Sequence, residues 1–284
     1  MGRYYALHDG EDPAVAAALA EHYRPLGPND ACPTEPESGV IALADKIDSL
    51  VAFFAIGERP TGSRDPFALR RAAQGIIRII LENELRLPLQ RAFIMASGYF
   101  NVDHQKLAAE LLDFIGDRLK IHLRDQGVRH DLVAAAFAQI DADSGDLIRL
   151  LHRVDAVRAF LETDDGANLL IAYRRASNIV TIEERRDKRR YDRDIDEAML
   201  RQSEELAMAK YLALASEGAE RSLARGEFDA AMGHLATLRR PVDEFFEKVT
   251  VNTDEPKLRE NRLRLLSRIR ATMNRVADFS QIEG

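Results

Sequence analysis

The feature that most constrains the fold is a helical hairpin encoded in residues 38–78. Apolar residues recur there at steps of three and four, which places them on one face of an α-helix. Gly57 follows, where a glycine can turn left-handed and end the helix. Asp65-Pro66 then predicts a helix start, because aspartate caps free N–H groups and proline fits the first helical turn. The predicted apolar face of the first helix comprises Val40, Leu43, Ile47, Leu50, Val51 and Phe54.

The same period runs through the rest of the chain, so the sequence predicts an all-α fold. The one β-branched run, VTVN at 249–252, is short. A polar stretch at Ile140–Asp146 predicts a boundary between two helical domains, residues 1–143 and 144–284. The other expected helices are Ala14–Tyr23, Leu89–Phe100, Asp103–Arg124, Asp131–Ile140, Leu147–Leu161, Ala167–Arg186, Glu197–Ala215, Phe228–Thr237, Val242–Lys248 and Pro256–Asp278.

Composition limits the functions open to this chain. Its 284 residues, 46% hydrophobic and 31% charged, are typical of a soluble globular protein of one or two domains. No apolar run has membrane-spanning length. The single cysteine, Cys32, excludes an internal disulfide framework and suits a reducing compartment. A net charge of −7 argues against nucleic-acid binding through overall charge, but a local basic patch remains open, since screening acts within about 8–10 Å.

Histidines and aspartates near the N-terminus suggest a divalent metal site. Imidazole nitrogens and carboxylates that converge on a metal ion can activate a water molecule. EHYRPLGP followed by ALADKIDSL resembles the tail of a metal-dependent HD phosphohydrolase domain, and the residues that carry over are His22 and Asp45. Asp48 would be their neighbour. No second dyad supplies the remaining ligands, so ordinary capping or pairing of these aspartates stays open as the alternative.

Other catalytic patterns are absent from the sequence. It contains neither a G-x-x-x-x-G-K-[ST] phosphate loop nor a G-x-S-x-G nucleophile elbow. Cys32 lies among prolines, with no histidine placed to activate it. We therefore do not expect Cys32 to act as a nucleophile.

Basic residues collect in the second half, above all in the last predicted helix. Lys257, Arg264, Arg268 and Arg275 fall together opposite its apolar stripe, where they are free to meet phosphates. An all-basic face is unusual for a helix that is merely solvated. Arg262 falls within the stripe and should be paired if buried. Its expected partners are Asp243, Glu244 and Glu247, and the stripe comprises Leu258, Leu263, Leu265, Leu266, Ile269, Met273 and Val276, flanked by Arg259 and Arg270.

Upstream segments offer further candidate contacts to RNA. Residues 185–193 interleave arginines with Tyr191, a candidate platform for base stacking. A solvated charged connector is an equally good interpretation, because aspartates lie beside these arginines. With the surface of the helix around residue 174 and the adjacent cations near residue 240, the expected RNA-binding set is Arg174, Arg175, Asn178, Arg239, Arg240, Lys257, Arg264, Arg268 and Arg275.

Two stretches resemble one protein family closely. ALADKIDSLVAFFAIGERPTGSRDPFALRRAAQGIIRII, with its unusual PTGSRDPFALRRAA string, is similar to the β subunit of the bacterial heterotetrameric glycyl-tRNA synthetase. LATLRRPVDEFFEKVTVN and LRENRLRLLSRIR resemble the anticodon-binding domain of that subunit, which is similar to the helical domain appended to arginyl-tRNA synthetase. The resemblance reaches the C-terminus, whereas the N-terminus starts in mid-domain. The chain is therefore interpreted as the C-terminal portion of such a subunit.

The resemblance implies an HD-like helical domain followed by a DALR-like helical bundle that binds the anticodon. It implies tRNA(Gly) and the synthetase α subunit as partners in an α2β2 assembly in the cytoplasm, with neither DNA nor membrane as a partner. No class II aminoacylation signature is visible, which agrees with a family in which the α subunit activates glycine. This portion is thus expected to hold no cofactor, with ATP and magnesium bound through the partner subunit. The rival hypotheses are an HD phosphohydrolase and a helical scaffold without a nucleic-acid role.

Overall fold

A computed structural model gives the structure of residues 1–139 and 145–283. These residues form α-helices joined by turns and short 3₁₀ segments, with no β-strand among them, which confirms the predicted all-α fold. They divide into unit 1, residues 1–130 and 145–150, and unit 2, residues 131–139 and 151–283. The predicted boundary between residues 143 and 144 lies outside the described residues. Among the described residues, we find no helix that combines the length and the apolar content that a membrane span requires.

Unit 1 is built around α3, which packs against α2, α4, α5 and α6. The predicted apolar face of α3 is buried from Leu43 to Phe54. Val40 is 63% exposed, because Ser38 and Gly39 face inward in the first turn instead. The helices of unit 1 are α1 Gly2–His8, α2 Pro13–Glu21, α3 Pro36–Ala55, α4 Leu69–Glu82, α5 Leu89–Ala96 and α6 His104–Asp125.

The corner between α3 and α4 is fixed by hydrogen bonds. Gly57, with φ +85°, ends α3 as predicted. The Asp65 carboxylate accepts hydrogen bonds from the backbone N–H groups of Leu69 at 2.8 Å and Arg70 at 3.0 Å. Asp65 therefore caps α4 as expected, but the helix begins at Leu69 rather than at Pro66. The intervening residues form a turn in which Ala68 has a left-handed φ of 55°, so Pro66 lies before the helix.

Unit 2 encloses one hydrophobic core. α9 packs along α13, and α10 packs against α11, α12 and α13. Tyr173 of α9 is buried and donates its hydroxyl hydrogen to Asn274 Oδ1 of α13 at 3.0 Å. Leu132 and Ala135 belong to this core as well. The remaining helices are α7 His130–Phe137, α8 Leu147–Leu161, α9 Asp164–Asp187, α10 Ser203–Arg225, α11 Phe228–Ala236, α12 Arg239–Lys248 and α13 Pro256–Asn274.

α10 differs from its predicted bounds. The expected helix over Glu197–Ala215 is a 3₁₀ turn at Glu197–Met199 followed by α10, which continues to Arg225. Gly218 lies inside α10, where a Cβ atom would stand 2.4 Å from the His234 ring. A residue that ordinarily weakens a helix is used here to bring α11 close. Gly226, with φ +74°, ends the helix.

Candidate nucleic-acid interface

The predicted basic face of α13 contains two kinds of cation. Lys257 and Arg268 are exposed and have no hydrogen-bond or ion-pair partner among the described residues. Arg264 is bound to Glu260 at 2.6 Å and to the Asp194 carbonyl oxygen at 3.0 Å. Arg275 pairs with Glu220 at 2.6 Å in an exposed position. An exposed ion pair contributes only about 0–1 kcal/mol, so a phosphate can compete for Arg275 more easily than for the half-buried Arg264.

Arg262 is buried in the core-facing side of α13, as its position in the apolar stripe predicts. Its partner, however, is Glu205 of α10, at 2.5 Å, and not an acidic residue of α12. The guanidinium also donates to the Thr250 carbonyl oxygen at 2.7 Å. Burial by itself would raise the pKa of the Glu205 carboxyl. The hydrogen bonds from Arg262 and from the N–H groups of Gln202 and Arg201 outweigh burial and hold that pKa below its usual value.

Arg259 is the centre of a second structural network that joins α13 to α9. It binds the carboxylates of Glu183 and Asp187, the latter at 2.6 Å. The Tyr191 hydroxyl donates to Asp187, and this hydrogen bond and those from Arg259 lower the pKa of Asp187. Tyr191 is 1% exposed. The proposal that its ring stacks on a base is therefore wrong, because the ring belongs to the core of unit 2.

The candidate residues on α9 have different surroundings. Arg174 is half-buried and donates to the Ile282 carbonyl oxygen at 2.7 Å, which ties the last described residues to α9. The Arg175 guanidinium carbon lies 4.2 Å from the centre of the Phe246 ring, and the side chain makes no hydrogen bond within the described chain. Asn178 is exposed. The sequence contained one hint of the Arg175–Phe246 contact, since Phe246 follows Val242 by four positions and so lies at the edge of the apolar face of α12.

Arg239 and Arg240 both lie at the start of α12 in ion pairs. Arg239 binds Asp165 and lies 3.9 Å from Asp243, whereas Arg240 pairs with Glu244 at 2.8 Å. These pairs raise the pKa of both arginines, first through the hydrogen bonds to Asp165 and Glu244. Both side chains are accessible but already neutralised.

The end of α9 and the connector that follows it, residues 188–196, supply cations that are not in the RNA-binding set expected from the sequence. Arg193 is exposed and unpaired within the described residues, and it lines the same cavity as Arg268. This cavity of about 230 Å³ also contains the acidic residues Asp194 and Glu197. Four cations at the end of α9 and in the connector have no hydrogen-bond or ion-pair partner in the part of the chain that is described: Arg185, Lys188, Arg190 and Arg193.

The metal candidates of unit 1 lie apart from any cluster of ligands. His22 Nδ1 donates to the Leu19 carbonyl oxygen at 3.0 Å. The buried Lys46, rather than Asp45, reaches this region, and its ammonium lies 3.2 Å from the His22 carbonyl oxygen. Burial lowers the pKa of Lys46. Within residues 1–139 and 145–283, no group of three or more His, Cys, Asp or Glu side chains is placed to hold a metal ion.

Cys32 is buried and poorly suited to nucleophilic chemistry. Burial, followed by a hydrogen bond with Glu82, raises the pKa of its thiol to about 12. The thiolate is the reactive form of cysteine, so Cys32 is essentially unreactive near neutral pH.

Two parts of the chain match models of known protein families. Residues 169–282, which include most of α9 and all of α13, match the model of the DALR anticodon binding domain. Residues 1–138 match the model described as glycyl-tRNA synthetase beta subunit. The two matches divide the chain into a region of the glycyl-tRNA synthetase beta-subunit type and a helical domain of the anticodon-binding type. The chain belongs to the glycyl-tRNA synthetase beta-subunit family, which confirms the resemblance found in its sequence.

Curated relatives agree with this assignment over almost the whole chain. The chain is 51% identical over 284 residues to the glycine–tRNA ligase beta subunit of Phenylobacterium zucineum, covering 100% of this chain and 40% of the relative. It is 54% identical over 272 residues to that of Rhodospirillum centenum, covering 95% and 38%. With that of Ruegeria sp. the identity is 47% over 284 residues, covering 100% and 40%. The chain thus spans about two fifths of the length of these relatives.

Proposed function

We propose that this chain binds tRNA(Gly) as part of a glycine–tRNA ligase, and that unit 2 recognises the anticodon arm. The observation that carries the proposal is the match of residues 169–282 to an anticodon-binding domain whose surface offers unengaged cations. Unit 2 contributes Lys257 and Arg268 from α13 and Arg175 from α9. Phosphate contacts of this kind set affinity and orientation, while base contacts set specificity.

The contribution to aminoacylation is positional. Holding the tRNA in place accelerates a reaction without supplying a reacting group. We assign glycine activation, with its ATP and magnesium, to the α subunit of an α2β2 assembly in the cytoplasm. The support for this division is the family membership. On this proposal the chain alone binds tRNA but does not charge it.

The test is binding of a tRNA(Gly) transcript to the full chain and to a Lys257→Ala/Arg268→Ala variant. Loss of two phosphate contacts should weaken binding at moderate salt and reduce the slope of log K against log[salt] by about 0.7–0.9 per cation. The matched control is Arg3→Ala/Arg91→Ala, which removes the same charge from exposed, unpaired positions of unit 1. Equal effects of the two variants would show that Lys257 and Arg268 attract tRNA only through the general charge of the chain. Absence of tRNA binding by the unaltered chain at low salt would favour the scaffold hypothesis.

A further inference from the structure

A small cavity between α9 and α12 is lined by Arg175 but by neither of the α13 cations, Lys257 and Arg268. Its volume is about 240 Å³, below the roughly 300–1,000 Å³ of ordinary small-molecule sites, so it suits one small planar group. Both helices lie in unit 2, and every residue that lines the cavity except Asn168 falls within the region that matches the anticodon-binding domain. The cavity is lined by Asn168, Ile171, Ala172, Arg175, Asp243, Phe246 and Glu247.

One wall of this cavity is a flat cationic surface. The Arg175 guanidinium carbon lies over the Phe246 ring, 4.2 Å from its centre. The aromatic ring supports the guanidinium, whose outer face and N–H groups remain available because Arg175 has no hydrogen-bond partner in the described chain. Ile171, one helical turn away, is 63% exposed and extends the surface with apolar area. Arginine planes of this kind are stacking platforms for unpaired bases.

The rim of the cavity is rich in hydrogen-bond acceptors. Glu247 is exposed and has neither a hydrogen bond nor an ion pair within the described residues. Asp243 has only a long contact to Arg239, at 3.9 Å. The side-chain amide of Asn168 donates to the Asp164 carbonyl oxygen at 2.8 Å, which leaves its own oxygen available as an acceptor. Carboxylates repel phosphate and so lower general affinity for RNA, but each can accept a hydrogen bond from a base.

We propose that this cavity holds one unpaired nucleobase that carries an exocyclic amino group, stacked on Arg175 with its amino group donating to Glu247. The inference rests on the proposed RNA-binding function and names the kind of base that the surface selects. Carboxylates accept from the N4 amino group of cytosine. Uracil is nearly the same size but presents a carbonyl oxygen in place of the amino group, so it meets the carboxylate with the wrong polarity.

The test compares two hairpin RNAs with the same stem, one with an all-cytidine loop and the other with an all-uridine loop. Binding to the full chain is measured by fluorescence anisotropy at fixed salt. The unaltered chain should bind the cytidine loop about tenfold more tightly, the size of one good base contact. Glu247→Gln should narrow this ratio to about threefold or less, because the amide can turn either its donor or its acceptor to the base.

The control is Asp254→Asn, which removes the same charge from another exposed and unpaired acidic residue of unit 2 outside the cavity. It should shift the affinities for both loops equally and leave their ratio unchanged. Arg175→Gln should weaken binding of both loops by about tenfold, because stacking depends little on base identity.

Equal binding of the two loops by the unaltered chain would overturn the cavity proposal while leaving tRNA binding intact. An unchanged ratio in Glu247→Gln would overturn it too, because the carboxylate would then act only through its charge. If neither hairpin RNA nor the tRNA(Gly) transcript binds the chain at low salt, the RNA-binding function itself is overturned.

Discussion

Helix α13 presents basic residues in two different settings. On the side facing α9 and α10, Arg259 and Arg262 are bound by carboxylates from distant parts of the chain. On the outer side, Lys257 and Arg268 are exposed without a partner in the described structure. The number of basic residues alone does not separate the two settings, because both kinds occur in the same nineteen-residue helix. The two settings differ in whether an acidic side chain already pairs with the cation. The inner pairs hold the fold, and the outer cations are available to a ligand.

The largest predicted effect is on the inner side. Arg262→Met should destabilise unit 2 by about 3–5 kcal/mol, because it leaves the Glu205 carboxylate buried without its partner. Urea unfolding followed by circular dichroism measures the change. Adding Glu205→Gln should restore more than half of the loss, since the neutral side chain keeps an acceptor for the backbone N–H groups of Arg201 and Gln202. On the outer side, Arg268→Met should change stability by less than about 0.5 kcal/mol. Similar losses of unfolding free energy in Arg262→Met and Arg268→Met would contradict the distinction between the inner and outer sides of α13.

The inner pair also makes stability depend on pH in a defined direction. The folded-state pKa of Glu205 lies below its unfolded value, which is about 4.3. The stability that Glu205 contributes is therefore fully present above the unfolded pKa and is lost as pH falls through the folded-state value. Urea midpoints measured from pH 7 to pH 3 should fall less steeply in Arg262→Met/Glu205→Gln than in the unaltered chain. Parallel curves would show that this pair contributes no pH-dependent stability.

A smaller effect should distinguish two cations that share the predicted outer face. Arg268→Ala should weaken tRNA binding severalfold at moderate salt and leave the unfolding free energy nearly unchanged. Arg264→Ala should have the smaller effect on binding, because Glu260 and the Asp194 carbonyl already engage that side chain. Filter binding and urea unfolding of the same samples make the comparison. A larger binding loss for Arg264→Ala would show that pairing in the free chain does not predict the RNA contacts.

The smallest expected effect concerns the exposed pair between Arg275 and Glu220. Arg275→Ala should change the unfolding free energy by less than about 1 kcal/mol, as for other exposed ion pairs. Glu220→Gln should slightly strengthen tRNA binding if Arg275 exchanges its carboxylate for a phosphate. Weaker binding of tRNA by Glu220→Gln would contradict that exchange.

Periodicity in the sequence predicted the features that depend on neighbouring residues. The buried face of α3 and the apolar stripe of α13 both repeat every three or four positions, and the position of Arg262 in that stripe predicted its burial. The partner of Arg262 was beyond such reasoning, because Glu205 is 57 residues away and only the packing of α10 on α13 brings the two together. The same holds for Tyr191, which looks like part of a charged connector in the sequence but is buried in the core of unit 2, with its hydroxyl bonded to Asp187.

Local signals were also overridden where backbone geometry decided the outcome. Asp65 capped a helix as expected, yet the turn through Ala68 moved the helix start to Leu69. Gly218 lies within a helix because the His234 ring occupies the space of a side chain. In the candidate interface, the sequence placed Arg175 and Arg268 at the surface. It could not show that the Phe246 ring lies under Arg175 or that Arg193 lines the same cavity as Arg268.

The most direct test of the central claim is the salt dependence of tRNA(Gly) binding by two double variants of α13. Lys257→Ala/Arg268→Ala removes the cations without partners, and Arg264→Ala/Arg275→Ala removes the same charge from paired positions. If the unpaired cations are those that meet phosphates, the slope of log K against log[salt] should fall by about 1.5 in the first variant and by clearly less in the second. Equal slopes in the two variants, or a larger change in the second, would contradict the account.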